Sequence, residues 1–269
     1  MFPPAYPTLS SCIRRCGVSG ADLRAWMREI TSGLRARVFP SELPQVPGLE
    51  LAVASHPRSE TSNDDFYDVL VRPDHRLAIA LANLSGVGTP KLAEMAGIRG
   101  MFRVLMYENR DPRETLQALN HVLCTAILPA ASFVDMRILL VDAAAGSFEY
   151  AGAGSRPLLV MREDGVAQQL SHHGPVLGVL GEAAFEPATH GPVNPGDLIA
   201  IPSHGCEEVR NAEGEPFGEA RLEAAIAESA RRAGSPQAFV DGLLDVLRKF
   251  RGAIARTEDV TILAVSRVG

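Results

Sequence analysis

The chain has 269 residues, with 26 Lys plus Arg against 32 Asp plus Glu, a formal net charge of −6, and is 46% hydrophobic and 22% charged. That balance is the composition of a folded globular chain and excludes wholesale disorder. The net acidity, with no run of five basic residues, argues against nucleic acid or an anionic membrane as the main partner, and no stretch of about 20 apolar residues is present to span a bilayer.

The prolines Pro3, Pro4 and Pro7 make the first ten residues irregular. The start lacks a basic segment followed by an apolar one, so no secretory signal is read. Four cysteines (Cys12, Cys16, Cys124, Cys206) are too few and scattered for a disulfide framework, which points to a reducing, cytoplasmic setting. From Ser19, the residues Leu23, Trp26, Met27, Ile30, Leu34 and Val38 recur at spacings of three and four and predict a helix. It stops at Pro40 and the Pro44, Pro47, Gly48 cluster. This helix either docks on its own domain or pairs with a second copy to make a homodimer. The chain divides into an N-terminal irregular segment and linker helix, 1–47, and a main domain, 48–269.

Beyond Gly48 the pattern changes to short strands: Leu49–Ser55, Phe66–Val71 and Arg76–Leu84, with a turn at Pro73-Asp74-His75. Thr89-Pro90 then opens a helix running to Met106, and Asp111-Pro112-Arg113-Glu114 opens another, Leu116 through Ile127, with a capping box. Strands resume at Phe133–Val141, Ser147–Tyr150, Pro157–Met161 and Ala167–Leu170, with further candidates at Phe185–Thr189 and Leu198–Pro202. Helices follow at Glu219–Ala233 and Gln237–Phe250, the second capped by Ser235-Pro236, and Val260–Val265 closes the chain. Blocks of strands with paired helices in two places, and no βαβ alternation, predict an α+β fold. The arrangement expected is a central antiparallel β-sandwich of two sheets flanked by helix pairs (α-β-β-α), with an N-terminal helical extension.

Four turns carry acidic or glycine residues: Asn63-Asp64-Asp65-Phe66-Tyr67-Asp68, Asn83-Leu84-Ser85-Gly86-Val87-Gly88, Pro195-Gly196-Asp197 before Ser203-His204-Gly205, and Thr257-Glu258-Asp259-Val260-Thr261. Taken singly, each Asp reads as a turn former or cap, because an oxygen site for Mg or Mn needs several carboxylates together. Cys206 near His204 reads either as a nucleophile with its base or as a buried, inert thiol. Adjacent His172 and His173 point to opposite faces of a strand and read as exposed loop histidines rather than zinc ligands. Cys12 and Cys16 have no partner pair for a metal. Arg156 is a candidate anion binder or a solvated side chain. Ser85, Gly86 and the residues up to the helix at Thr89 offer backbone N–H groups for a phosphate or a partner.

The order of these turns resembles the metal-dependent protein serine/threonine phosphatase (PPM) family, in the bacterial branch typified by the stage II sporulation protein E phosphatase and the stress-response regulators. The matching residues run from Phe39-Pro40 through Asp65-Phe66-Tyr67-Asp68, Leu84-Ser85-Gly86-Val87-Gly88, Tyr150-Ala151-Gly152-Ala153-Gly154 and Gly174-Pro175-Val176-Leu177-Gly178. They continue through Pro195-Gly196-Asp197, Gly205 and Phe217-Gly218-Glu219 to Asp259-Val260-Thr261. The resemblance implies a two-metal site at one end of a β-sandwich and, as partner, a phosphorylatable regulator such as an anti-sigma-factor antagonist.

The departures from the family pattern fall where that site should be. Asn63-Asp64 replace two glycines before Asp65, Asn83 stands for the metal-bridging aspartate, His204 for a second ligand and Glu258 for a third. Gly152-Ala153-Gly154-Ser155 stands for an Asn-Ala-Gly-His stretch. The degenerate metal-site positions are thus Asp65, Asn83, Leu84, His204, Glu258 and Asp259, of which Asp65, Glu258 and Asp259 keep a carboxylate. Two divalent ions about 4 Å apart repel by roughly 17 kcal/mol at an effective dielectric near 20, and a neutral amide offsets little of that. The expectation is a pseudophosphatase that binds a protein partner, needs no cofactor and has no confidently assigned catalytic residue. The alternative is an active Mn- or Mg-dependent phosphatase in which Asp65, Asp68, Glu258, Asp259 and His204 hold one ion.

Overall fold

The computed structural model describes residues 39–40, 42–58, 64–85, 91–127, 132–154, 156–163, 165, 167–172 and 174–269. In chain order come β1 (Leu49–His56), β2 (Asp65–Val71), β3 (Leu77–Ser85), α1 (Lys91–Tyr107) and α2 (Pro112–Val122), which runs into a π-helical turn, Leu123–Ile127. Then follow β4 (Phe133–Asp142), β5 (Ser147–Ala153), β6 (Leu158–Met161), β7 (Ala167–Leu170), β8 (Thr189–Pro192) and β9 (Leu198–Pro202). A short 3-10 turn at His204–Cys206, α3 (Glu219–Arg232), α4 (Pro236–Arg251) and β10 (Val260–Arg267) complete the order.

The strands form two antiparallel five-stranded sheets: sheet one in the order β1-β10-β9-β6-β7, sheet two in the order β2-β3-β4-β5-β8. The sandwich with helices outside is the architecture the strand and helix blocks predict. Strand periodicity explains its three apolar layers. On β3, Leu77, Ile79 and Leu81, with Leu139 of β4 beside them, face sheet one, where they meet Val160, Ile201 and Leu263. The alternate residues Ala78, Ala80 and Ala82 face outward and leave room for α1, whose Met95, Ile98, Phe102 and Met106 recur at three and four. Sheet one is covered by α3 and α4 through Leu222, Ile226, Phe239, Val240 and Leu243.

Helix starts follow the local chemistry. Asp111 accepts the Glu114 N–H at 2.7 Å ahead of Pro112, and Ser235 Oγ accepts the Ala238 N–H at 3.2 Å ahead of Pro236. A buried Arg72 clasps the β2–β3 hairpin to the α1–α2 connection, donating to the Arg110 carbonyl at 2.9 Å and to Asn109 at 3.1 Å.

Three expectations are corrected. The strand expected over Phe185–Thr189 lies at Thr189–Pro192 instead. Phe185 belongs to no strand: its ring is buried in the helix-side core and its carbonyl accepts from Arg113 at 3.0 Å. The helix expected through Ile127 ends its regular turns at Val122. His172 is buried, not exposed, held by Thr189 Oγ1 at 3.0 Å and edge-on to the Tyr150 ring at 4.9 Å. The Ser19–Val38 helix, Cys12, Cys16, Asn63, the Gly86–Pro90 stretch, Ser155 and His173 lie outside the described residues. Among the described residues, no helix is long and apolar enough to cross a membrane.

Phe102, with no exposed surface, fills the layer over the alanine stripe, whereas Val104 on the same helix is 57% exposed. Phe102→Ala is expected to lower unfolding free energy by about 3–5 kcal/mol, and Val104→Ala to leave it within about 0.5 kcal/mol, both read from urea midpoints.

Candidate functional site

Pairing across sheet two sets Asp65 of β2 opposite Asn83 of β3, and Asn83 opposite Asp135 of β4. One polar row therefore crosses three strands. By strand alternation it lies on the face that carries Tyr67, Leu81 and Leu139, at the mouth of the gap between the sheets. Sheet one contributes Ser203 after β9, and Asp259 and Thr261 at the start of β10. Ser203 Oγ accepts the Thr261 N–H at 3.0 Å.

Asp65 is 1% exposed, and Asn83 Nδ2 donates to its Oδ1 at 3.0 Å. An ionised carboxylate only accepts, so the amide turns its NH2 toward it. Burial pushes the Asp65 carboxyl up to about 6, against hydrogen bonds from Asn83, Ser203 and Thr261, while the Asp259 charge adds to the rise. Burial likewise raises Asp135, against the pull of Arg137, Arg156 and His204. Gly154, at φ +112°, is needed here: a Cβ at that position would run into the Asp135 carboxylate.

Asp259 is 3% exposed and accepts three backbone N–H groups. Its Oδ1 accepts the Arg58 N–H at 2.7 Å, and its Oδ2 accepts those of Asp64 at 2.6 Å and Asp65 at 3.3 Å. Glu258 beside it is half-buried and flanks Gly205, where an added Cβ would come within 3.2 Å of the Glu258 Cβ and collide with the Asp259 carbonyl. His204 Nδ1 stands 3.8 Å from Glu207, and Arg156 holds the same carboxylate at 2.7 Å. Asp64 is taken by Lys91 at 2.6 Å and Arg58 at 3.3 Å.

The structure thus brings Asp65, Asn83, His204, Glu258, Asp259 and Arg156 to one end of the sandwich. It does not bring Leu84, whose side chain enters the helix-side core, although the Leu84 N–H donates to the Asp64 carbonyl at 2.8 Å. Ser85 Oγ is spent on the Phe133 carbonyl at 3.1 Å. Asp68 points to the opposite face of β2, where it is fully buried against Arg103 at 2.6 Å and Arg99 at 3.2 Å. Cys206 is buried and its thiol is pushed up to about 12 by burial, which leaves it inert as a nucleophile.

Two members of the site escaped the sequence reading, Asp135 and Arg137. Both occupy inward positions of an otherwise apolar strand, and that alternation is the signal that could have found them. Arg137 is buried and donates to the Pro202 carbonyl at 2.8 Å and the Pro157 carbonyl at 3.3 Å, which ties β4 to sheet one.

These donors do not fit a pair of divalent ions. The Asn83 amide presents a donor toward Asp65, the Asp259 oxygens are occupied by amides, and His204 offers nitrogen where Mg and Mn favour oxygen. Among the described residues, no three His, Cys, Asp or Glu side chains are grouped to hold a metal ion.

A family model described as Stage II sporulation protein E (SpoIIE) matches residues 73–268. The phosphoserine phosphatase RsbU of Bacillus subtilis is 25% identical over 187 residues, covering 69% of this chain and 55% of RsbU. Among solved structures, the SiaA-PP2C domain of Pseudomonas aeruginosa superposes with a TM-score of 0.74 at 18% identity, covering 97% of this chain and 99% of that one. The RsbU and RsbW domains of Rv1364c from Mycobacterium tuberculosis give 0.71 at 24% identity, covering 86% of this chain and 63% of that one. The chain spans about half the length of the curated relatives it matches.

Asp259→Ala strands three backbone N–H groups and is expected to cost about 3 kcal/mol or more, whereas Asp259→Asn keeps one acceptor and costs less; chemical denaturation reads both. The raised Asp65 pKa favours the neutral form in the fold. Its contribution to stability is present below the unfolded value near 4 and is lost as pH rises through about 6. With EDTA present, the wild type should therefore lose roughly 2–3 kcal/mol relative to Asp65→Asn between pH 4 and pH 7.

Proposed function

The chain belongs to the stage II sporulation protein E (SpoIIE) family and carries the PPM-type phosphatase fold, and from that premise we propose that it is a pseudophosphatase. It acts as a regulatory module that binds a protein partner in a phosphorylation-dependent, sigma-factor-type signalling pathway. The observation that carries this reading is the 3.0 Å hydrogen bond from the Asn83 amide to Asp65. It puts a hydrogen-bond donor where two cations would require negative charge, and Asp259 is spent on the backbone beside it.

The framework around the site supports retention of a binding surface. Gly154 and Gly205 sit where a Cβ would collide, and Asp259 still fixes the chain at the mouth. The partner class is a regulator with a phosphorylatable serine or threonine, such as an anti-sigma-factor antagonist. RsbU's own description as a phosphoserine phosphatase supports that choice. In this reading the protein works in the cytoplasm, needs no metal to bind its partner, and pairs with a second copy through the 19–38 helix, which precedes a binding domain over 48–269.

One observation favours a second reading. Asp135 adds a carboxylate to the row of Asp65 and Asn83, which leaves an active Mn- or Mg-dependent phosphoserine or phosphothreonine phosphatase with an altered site.

With Mn and Mg titrated, neither an aryl phosphate nor a phosphoserine peptide should release phosphate above background, and calorimetry should register no Mn binding at millimolar concentration. The triple variant Asn83→Asp, His204→Asp, Glu258→Asp should gain Mn binding. Metal-dependent turnover that Asp65→Ala abolishes would establish the second reading instead.

A further inference from the structure

On the outer side of sheet one, away from the gap between the sheets, α4 and the ends of β1 and β10 enclose a cavity of about 120 Å³. Leu244, Leu247, Arg248 and Arg251 line it from one face of α4, at spacings of three, one and three. His56, at the end of β1, and Arg256, in the connection before β10, close it from the other side.

The charges there are poorly matched. Among the described residues, the buried Arg251 Nε has no hydrogen-bond partner and its side chain makes no ion pair. Arg256 donates its Nε to the Pro57 carbonyl at 3.3 Å and meets no carboxylate among the described residues. Among the described residues, only Arg248 has a counter-charge, Asp245 at 2.7 Å. Burial, then Arg256 and Arg251, push His56 down, as expected of a ring facing uncompensated cations. A helix C-terminus attracts basic side chains, which accounts for Arg248 and Arg251. It does not account for Arg256 or His56, which arrive from other elements.

We propose that this cavity is an anion site that takes a phosphoryl group. Its volume equals about four waters at ~30 Å³ each, enough for a tetrahedral oxyanion with its first carbon. Three arginines lining one cavity suit phosphate oxygens, which they meet through charge-assisted hydrogen bonds. The leucine floor favours a phosphomonoester on a carbon chain over hydrated inorganic phosphate. No residue of the sandwich mouth takes part, so this site stands whether or not the mouth binds metal.

Calorimetric titration of the full chain with inorganic phosphate, a short neutral phosphoserine peptide and its unphosphorylated form tests it. Binding of a phosphorylated probe is expected, weakened at least tenfold in Arg251→Gln and in Arg256→Gln and unchanged in Val104→Ala on the exposed side of α1. Arg256 is exposed, so its variant keeps the test open should Arg251→Gln fold poorly. Tighter binding of the peptide than of phosphate identifies a phosphorylated side chain as the source, and equal binding identifies the free ion. Absence of binding by both phosphorylated probes at millimolar concentration, or binding that neither arginine substitution weakens, overturns the proposal.

Discussion

The carboxylate of Asp259 holds the mouth of the sandwich together. It stands at the head of β10 in sheet one, yet its oxygens bind amides of Arg58, Asp64 and Asp65 on the way into β2 of sheet two. A buried charge satisfied by several backbone N–H groups is a stable arrangement, and here it also sets the approach of one sheet to the other. Asp65 takes its place because of it. The Asn83 and Asp135 positions follow from the strand register.

That constraint sets the shape of the mouth largely apart from the side chains at positions 83 and 204. The residues that shape the mouth are Asp259, Gly154 and Gly205, whose positions are dictated by close approach and hydrogen bonding. Of these, only Asp259 is also among the expected metal-site positions. Asn83 presents an amide to Asp65, and His204 a ring that faces Glu207. Asn83 and His204 take no part in the close approaches at Gly154 and Gly205 or in the amide bonds of Asp259, so their side chains can vary without loss of that shape.

Much of this was legible in the sequence for physical reasons. The period-two pattern of Leu77 to Leu84 and the caps at Asp111 and Ser235 are local signals that tertiary structure did not override. Phe185 misled because an apolar residue in a short run reads as strand, whereas its ring anchors a loop in the core. His172 misled because burial of a histidine depends on distant partners, here Tyr150 and Thr189. At the site, Asp65, Asn83, His204 and Glu258 were found from the order of the turns. The division of labour between Glu258 and Asp259 was not, since neighbouring carboxylates differ only in which one meets the amides of a chain nearly two hundred positions away. Asp135 was hidden for a related reason: its neighbour in space, Gly154, lies just past the end of the next strand.

The alanine stripe of β3 gives the molecule two unequal halves. Opposite Ala78, Ala80 and Ala82 the space is filled from the helix side, with Met95 and Met106 among the side chains that fill it. Thioether chains are unbranched and adapt their shape, whereas the described layer between the sheets holds no methionine and several stiff β-branched chains, among them Ile79, Val160, Ile199 and Val265. A methylene gained or lost under α1 is therefore absorbed by its neighbours, while the same change between the sheets is transmitted along the strands. The middle of the protein is its rigid spine, and the α1 face is its cushion.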